Sequence, residues 1–332
     1  MKRAENNIIM RLTALWALSE SGLGGAMHAF KMPFTGFFLG GFAILIICLI
    51  AHHSTHKWKA IIQATLLVIL IKAAASPQSP PMAYVAVAFQ GLTGALFFSI
   101  IPFFRMAAVL FGMLALFESA TQKFLLTTLI FGKSIWEALD LFFQDILKTL
   151  LISSDISFSF WLIVIYTLIY TLWGMLLGWW GASLPAKLER ESVRVINEYK
   201  NFEMETDVEE NPNKTRKHKL WTLFFVLLIV CITFIIQGSG SKVFYAITRT
   251  IAALLMLFFL VSPIIKWLLQ KWLKKAKNEK QLALSQLMDT IPELRSYVKP
   301  AMQLAKENHR GLMVYKAFVI NLIVISLYNQ QY

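Results

Sequence analysis

Eight polar side chains within or beside the apolar segments of this sequence could bind a small solute. They supply carboxylate, ammonium, amide and imidazole groups, which hold solutes by charge and by hydrogen bonding. Burying a charge at bilayer depth is costly unless a partner or a water-filled cavity receives it. We therefore expect these side chains either to pair with one another or to line a polar pocket. They are Glu20, His28, Lys31, Lys72, Gln78, Gln90, Glu118 and Lys123.

Two interpretations of this set remain open at the level of sequence. In the first, Glu20, Lys72, Gln90 and Glu118 contact a solute in one half of the membrane. In the second, Glu–Lys pairs fix the packing of the helices, while Lys31 and Lys123 extend to the lipid headgroups. A carboxylate side chain is too short to extend far, so the two glutamates are the strongest candidates for ligand contact.

Motifs for catalysis or metal binding are missing from the sequence. It contains no HExxH, no GxSxG and no GxxxxGK[ST] pattern. Histidines 52, 53 and 56 have a spacing that could hold a metal, but no carboxylate or cysteine lies among them. We therefore predict a protein that is not an enzyme and has no metal or cofactor, so that any energy input comes from a partner or an ion gradient.

The composition places these side chains on membrane helices. Hydrophobic residues make up 57% of the 332 residues and charged residues 15%, and the mean hydropathy is +0.59. The apolar residues form runs of about 17–25, the length that crosses a bilayer as a helix. We predict an all-α, polytopic membrane protein with eight spans. Their approximate bounds are 8–29, 34–51, 60–75, 83–104, 106–131, 158–183, 220–237 and 243–267.

The basic residues predict the orientation of these spans. The formal net charge is +13, but the lysines and arginines mainly flank the apolar runs on one side, which is the positive-inside pattern and argues against nucleic-acid binding. Both termini are therefore expected in the cytoplasm. The polar candidates then fall in the outer half of the bilayer.

The pattern divides the chain into four parts. Residues 1–184 are predicted to be a six-span bundle, 185–219 a charged cytoplasmic linker, 220–267 a two-span module and 268–332 a basic amphipathic tail. Residues 133–151 are expected to form an amphipathic helix that lies flat on the outer surface or caps a cavity. Residues 312–328 are apolar but contain Lys316 and Asn321, so we expect them at the interface or docked on protein rather than as a ninth span.

Glycines complete the pattern. Gly36 and Gly40, and likewise Gly174 and Gly178, have the GxxxG spacing that lets helices approach closely. The cluster of glycines at 22, 24 and 25 weakens the first span, so we expect local unwinding there, as in the broken helices of transporters. The proline-rich outer loop around Gln78 could form a lid.

The six-span layout, the stretch ESGLGGAMHAFKMPFTG, the Pro-bearing outer loop and the polar outer half together resemble the substrate-binding subunit of energy-coupling factor transporters over about residues 8–184. The resemblance implies a bacterial cytoplasmic membrane protein that holds a micronutrient, with a transmembrane coupling subunit and ATPase subunits as partners. The Ala-x-x-x-Ala surface of that family is altered here, because Ala14 and Ala17 are three residues apart.

Two functional classes follow from the sequence. The first is a solute-binding subunit of an uptake transporter, in contact with the bilayer, a small polar solute and separate motor subunits. The second is a structural or regulatory scaffold of a larger membrane complex, whose basic tail recruits partners or anionic lipid. A membrane enzyme ranks third, because a pair of carboxylates specifies no reaction.

Overall fold

The computed structural model describes residues 2–29, 34–76, 79–149, 157–206 and 278–329, and every regular element within them is helical. The predicted all-α class is therefore confirmed. The elements are α1 (Lys2–Leu18), a π-helical turn (Ser19–Leu23), α2 (Gly24–Ala29), α3 (Thr35–His53), α4 (Lys57–Ala75), α5 (Pro81–Ile100), α6 (Phe104–Phe131), α7 (Ser134–Thr149), α8 (Phe158–Thr206), α9 (Asn278–Ser296), α10 (Val298–Asn308) and α11 (Met313–Tyr328).

Five helices are long and apolar enough to cross a bilayer, which indicates a membrane protein. They are α3, α4, α5, Phe104–Leu129 of α6 and Phe158–Phe202 of α8. The first predicted span is helical throughout but interrupted by the π turn, so neither of its α-helical parts reaches that length. The predicted spans at 220–237 and 243–267 lie outside the described residues.

The surface of the bundle formed by α8 is apolar and exposed, as expected for a surface in contact with lipid. The hydrophobic window of α8 is only 17% buried, and Trp161, Leu168 and Leu176 expose half or more of their surface. In water such a surface would be costly, whereas lipid tails match it. The apolar helices therefore indicate contact with lipid.

Helix α3 lies at the centre of the bundle, with 72% of its apolar window buried. Glycines permit this arrangement. A Cβ at Gly40 would lie 2.9 Å from Leu116 on α6, and one at Gly41 would lie 2.8 Å from Leu177 on α8. Helices α6 and α8 meet backbone to backbone, because Gly112 and Gly174 face each other and Gly178 faces Ala108. Both GxxxG pairs are thus packing sites, as their spacing predicts.

Helix α8 is longer than the sixth predicted span. It continues through Pro185 to Thr206, so the region predicted as a charged linker begins as helix. A proline removes one backbone hydrogen bond, and the flanking leucine, alanine, lysine and glutamate residues have high helix propensity. One compact unit contains Met1–Tyr199 and Lys275–Tyr332. Of the second unit, Lys200–Lys274, the structure describes residues 200–206, the last turns of α8.

Helix α7 corresponds to the amphipathic segment predicted at 133–151, and none of its described residues is buried. Leu141, Phe142 and Ile146 are exposed. The indole Nε1 of Trp136 donates a hydrogen bond of 2.8 Å to Thr128 Oγ1 on α6. Together with the bonds from Ser157 and Ser159 to Asp140, this contact attaches α7 to α6 and to the start of α8.

The C-terminal helices dock on α1. Arg11 Nη1 donates to the backbone carbonyl of Ser326 at 2.7 Å, and Arg11 Nη2 donates to Glu293 Oε1 at 3.0 Å. Most of α11 is buried, including Asn321, whose Nδ2 donates to the carbonyl of Ala301 at 3.4 Å. Of the two placements expected for residues 312–328, the structure shows docking on protein.

Candidate solute-binding site

The π turn places Glu20 inside the bundle. Residues Leu18 and Gly24, which flank the turn, both have α-helical backbone angles, and the N–H of Gly24 donates to the carbonyl of Ser19. The chain therefore stays helical where the glycines predict unwinding, because a wider turn accommodates the bend without losing its hydrogen bonds. Short π-helical turns often occur at functional sites.

Glu20 is paired with Lys72 of α4. The Lys72 Nζ donates to Glu20 Oε2 at 2.6 Å, and the two side chains are only 1% and 4% exposed. Lys72 also lies over the ring of Tyr84 on α5, 5.9 Å from its centroid. For these two candidates the arrangement matches the packing interpretation: each neutralises the other, and α1 is tied to α4. We call the end of the bundle that contains this pair the Glu20 end.

Gln90 of α5 is buried without a full set of hydrogen bonds. Its residue surface is 3% exposed, and its Oε1 has no hydrogen-bond partner in the part of the chain that the structure describes. Its Nε2 faces Gly40 on α3, 3.1 Å from the position that a Cβ would occupy there. The amide therefore reaches the contact between α3 and α5, and its oxygen is open to a donor.

Glu118 of α6 is half-buried, and one of its two oxygens is engaged. Its Oε1 accepts a hydrogen bond of 3.2 Å from Gln122 Nε2, which also donates to the carbonyl of Met82 on α5 at 3.1 Å. Its Oε2 is buried and has no partner among the described residues. The side chain is thus held by its neighbour, with one oxygen left free.

The packing of α5 against α6 places Gln90 and Glu118 at similar positions along the helix axes. The two helices are antiparallel, with Gly94 against Phe111 and Met82 against Gln122. In this register Glu118 lies about one helical turn nearer the Glu20 end than Gln90, about 5 Å along the axis. The two unpaired oxygens therefore lie at similar depth along neighbouring helices.

The remaining sequence candidates are placed differently. Lys123 is exposed, and its Nζ lies 5.8 Å from the centroid of the Tyr166 ring, a cation–π contact. His28 belongs to α2, but its side chain is not described. Lys31 and Gln78 lie outside the described residues.

Sequence reasoning missed an aromatic cluster at the Glu20 end. Phe37 of α3 stacks on Trp173 with centroids 5.0 Å apart and meets the edge of Tyr170 at 5.3 Å. Tyr166 donates to the Tyr170 hydroxyl at 2.8 Å and stacks on Phe34, which has a φ of 62°. A left-handed backbone at a bulky residue is strained. The spacing of residues 166, 170 and 173 places them on one face of α8 and could have predicted the cluster. The pattern does not stand out in the sequence, because aromatic residues are common in every apolar run of this chain.

The opposite end of the bundle has a surface depression of about 570 Å³, lined by Thr55, His56, Lys57, Trp58, Lys59, Phe98 and Ser99. It is separate from the Glu20–Lys72 pair, because it surrounds the α3–α4 loop. Among the described residues, no group of three histidine, cysteine or acidic side chains is arranged to hold a metal.

No protein-family model, curated protein or solved structure matches this chain. The function is therefore inferred from the geometry of the site.

Proposed function

We propose that this chain is the solute-binding membrane subunit of a small-molecule uptake transporter, energised by separate partner subunits. The observation that carries the proposal is that two buried oxygens, on Gln90 and Glu118, have no hydrogen-bond partner within the part of the chain that the structure describes. A buried polar atom without a partner costs about 1–3 kcal/mol. A ligand that donates a hydrogen bond to each oxygen recovers this free energy. The two unpaired oxygens therefore favour ligand binding.

The surrounding contacts support a built site. The Glu20–Lys72 pair ties α1 to α4, and Gln122 bridges Glu118 to α5. Aromatic contacts join α3 to α8 at the same end. A rigid shell of this kind holds binding groups in position before the ligand arrives. In this proposal the solute is of the micronutrient type, the site opens outward, and both termini are cytoplasmic.

The C-terminal helices restrict which surface of the chain could contact a coupling subunit. Ala14 and Ala17 are fully buried, and α9 and α11 pack on α1 through Arg11. A separate coupling subunit therefore finds this part of α1 covered. In our proposal residues 220–332 supply the contact with the coupling machinery.

A scaffold is the second candidate, and one observation favours it. The pair of Glu20 and Lys72 is closed and almost completely buried, as expected for ionic groups that fix helix packing. A scaffold would use the docked C-terminal helices to recruit a partner, and the oxygens of Gln90 and Glu118 would then bind structural water.

Affinity purification of the full chain in mild detergent separates the two candidates. Mass spectrometry identifies the proteins and the small molecules that co-purify with the wild type and with Gln90→Leu, Glu118→Gln and Thr121→Val. Thr121 is the matched control, because its exposed hydroxyl donates to the Phe117 carbonyl of its own helix. A transporter subunit carries a solute or ATPase subunits, and its solute is lost in the first two variants and kept in the third. Recovery of other membrane proteins with no solute would favour the scaffold.

A further inference from the structure

The hydrogen-bonding capacity of the site restricts the chemistry of its solute. The groups left open are both oxygens, Gln90 Oε1 and Glu118 Oε2. An amide oxygen only accepts hydrogen bonds, and an ionised carboxylate likewise only accepts. A ligand that completes this site must therefore bring donors.

The charges beside the site lead to the same conclusion. The two lysines of α4 and α6 that lie at the Glu20 end are both engaged. Lys72 is paired with Glu20 at 2.6 Å, and Lys123 lies over the Tyr166 ring on the exposed side of α6. An anionic solute would have to break the buried pair, which costs about 3–5 kcal/mol when a charge is left unpaired. Meanwhile the half-buried Glu118 would repel it.

The positions of the two residues on neighbouring helices favour a solute with more than one donor. Gln90 and Glu118 lie about one turn apart on the antiparallel helices α5 and α6, and the Nε2 side of the Gln90 amide packs closely against Gly40 of α3. A planar group with two parallel N–H donors can bond to an acceptor on each helix. A single point donor would satisfy only one of them.

We infer that the site binds a solute through a donor-bearing head group, such as an amidinium, guanidinium or aminoheterocycle, held between Gln90 Oε1 and Glu118 Oε2. This inference deepens the proposed function and rests on it. It assigns the recognition of the solute to these two residues. It gives Glu20 and Lys72 the role of positioning α1 and α4 around them.

Benzamidine, benzamide and benzoate form a matched set of probes, because they share one ring and differ in whether they carry a cationic donor, a neutral amide or an anion. The full chain is unfolded thermally in detergent with about 10 mM of each, a concentration that detects weak sites. We expect benzamidine to raise the Tm of the wild type by about 2–4 °C and benzoate to leave it unchanged. The shift should vanish in Glu118→Gln and Gln90→Leu and persist in Thr121→Val.

Three results would overturn the inference: a shift with benzoate as large as with benzamidine, a benzamidine shift that survives in both Gln90→Leu and Glu118→Gln, or no shift with any probe. Glu118→Gln is nearly isosteric and keeps the test valid if Gln90→Leu fails to fold. The co-purification experiment identifies which idea has failed. If an anionic metabolite co-purifies, the transporter proposal stands and the inferred preference for a donor-bearing solute is wrong. If no metabolite co-purifies and no probe shifts the Tm, both are wrong.

Discussion

The Nζ of Lys72 lies 2.6 Å from Oε2 of Glu20, in a pair that links the last turn of α4 to the π turn after α1. Both side chains are almost completely buried. Two charges removed from water are tolerated only when each satisfies the other. The pair therefore acts as a unit, and its members should respond to mutation together.

Single and double replacements test this unit. We expect Glu20→Gln or Lys72→Met to lower the free energy of unfolding by about 3–5 kcal/mol, because each leaves an uncompensated buried charge. The double variant Glu20→Leu with Lys72→Met should regain most of the loss. Thermal unfolding in detergent measures both, with the exposed Lys123→Met as control. Single variants no less stable than Lys123→Met would show that the pair is unimportant.

The contact between α6 and α8 should tolerate no side chain. A methyl group on Gly174 would collide with the backbone of Gly112, which cannot move as a flexible side chain can. We expect Gly174→Ala to lower the folded yield and the Tm through overpacking of about 1–3 kcal/mol. Gly22→Ala is the matched control. Its methyl group would lie 3.6 Å from Leu18 Cδ1, an ordinary contact, and should be neutral or stabilising by up to about 1 kcal/mol. Equal yields for both variants would refute the close approach.

Arg11 should stabilise the docking of the C-terminal helices. It is 8% exposed and bonds to both Ser326 and Glu293. We expect Arg11→Met to cost about 1–3 kcal/mol and to increase protease cleavage between residues 278 and 329. Arg194 makes ion pairs with Glu191 and Glu198 but is 52% exposed, so Arg194→Met should change stability by less than about 1 kcal/mol. The same cleavage pattern in both variants would rule out a docking role for Arg11.

The start of α8 should depend on pH through Asp140 of α7. The backbone N–H of Ser159 donates to Asp140 Oδ1 at 2.6 Å, and this bond holds the pKa of the Asp140 carboxyl below its usual value. A lowered folded-state pKa stabilises the structure fully above the unfolded-state pKa of about 3.9. That stabilisation is lost as the pH falls through the folded-state pKa.

Hydrogen exchange of the peptide that contains residues 158–161 measures this cap. After correction for intrinsic rates, we expect its protection to stay constant from pH 6 to about pH 4 and to fall below that, as the pH drops through the lowered pKa of Asp140. Asp140→Asn should lower protection at pH 6 and remove most of the pH dependence, since the amide does not titrate. Protection that is independent of pH in the wild type would count against the cap.

Much of the helical framework could be predicted from the sequence. Apolar runs separated by Ser76, Pro80 and Gly132 mark helix ends that the structure places within a few residues, because a chain in lipid must satisfy its backbone within each segment. The extension of α8 past Pro185 could not be predicted. A single proline weakens a helix without ending it when the residues on both sides favour helix.

Within the candidate site, the sequence alone predicted which residue types would be out of place in a membrane and that they share one half of it. It left open whether they pair or remain free, because Glu20, Lys72 and Glu118 are equally polar and lie on different segments. Tertiary structure decided that question. Helix packing brings Lys72 to Glu20 and leaves Glu118 Oε2 and Gln90 Oε1 without donors among the described residues. Pairing over 52 residues depends on how helices rotate and cross, and local composition contains no such information.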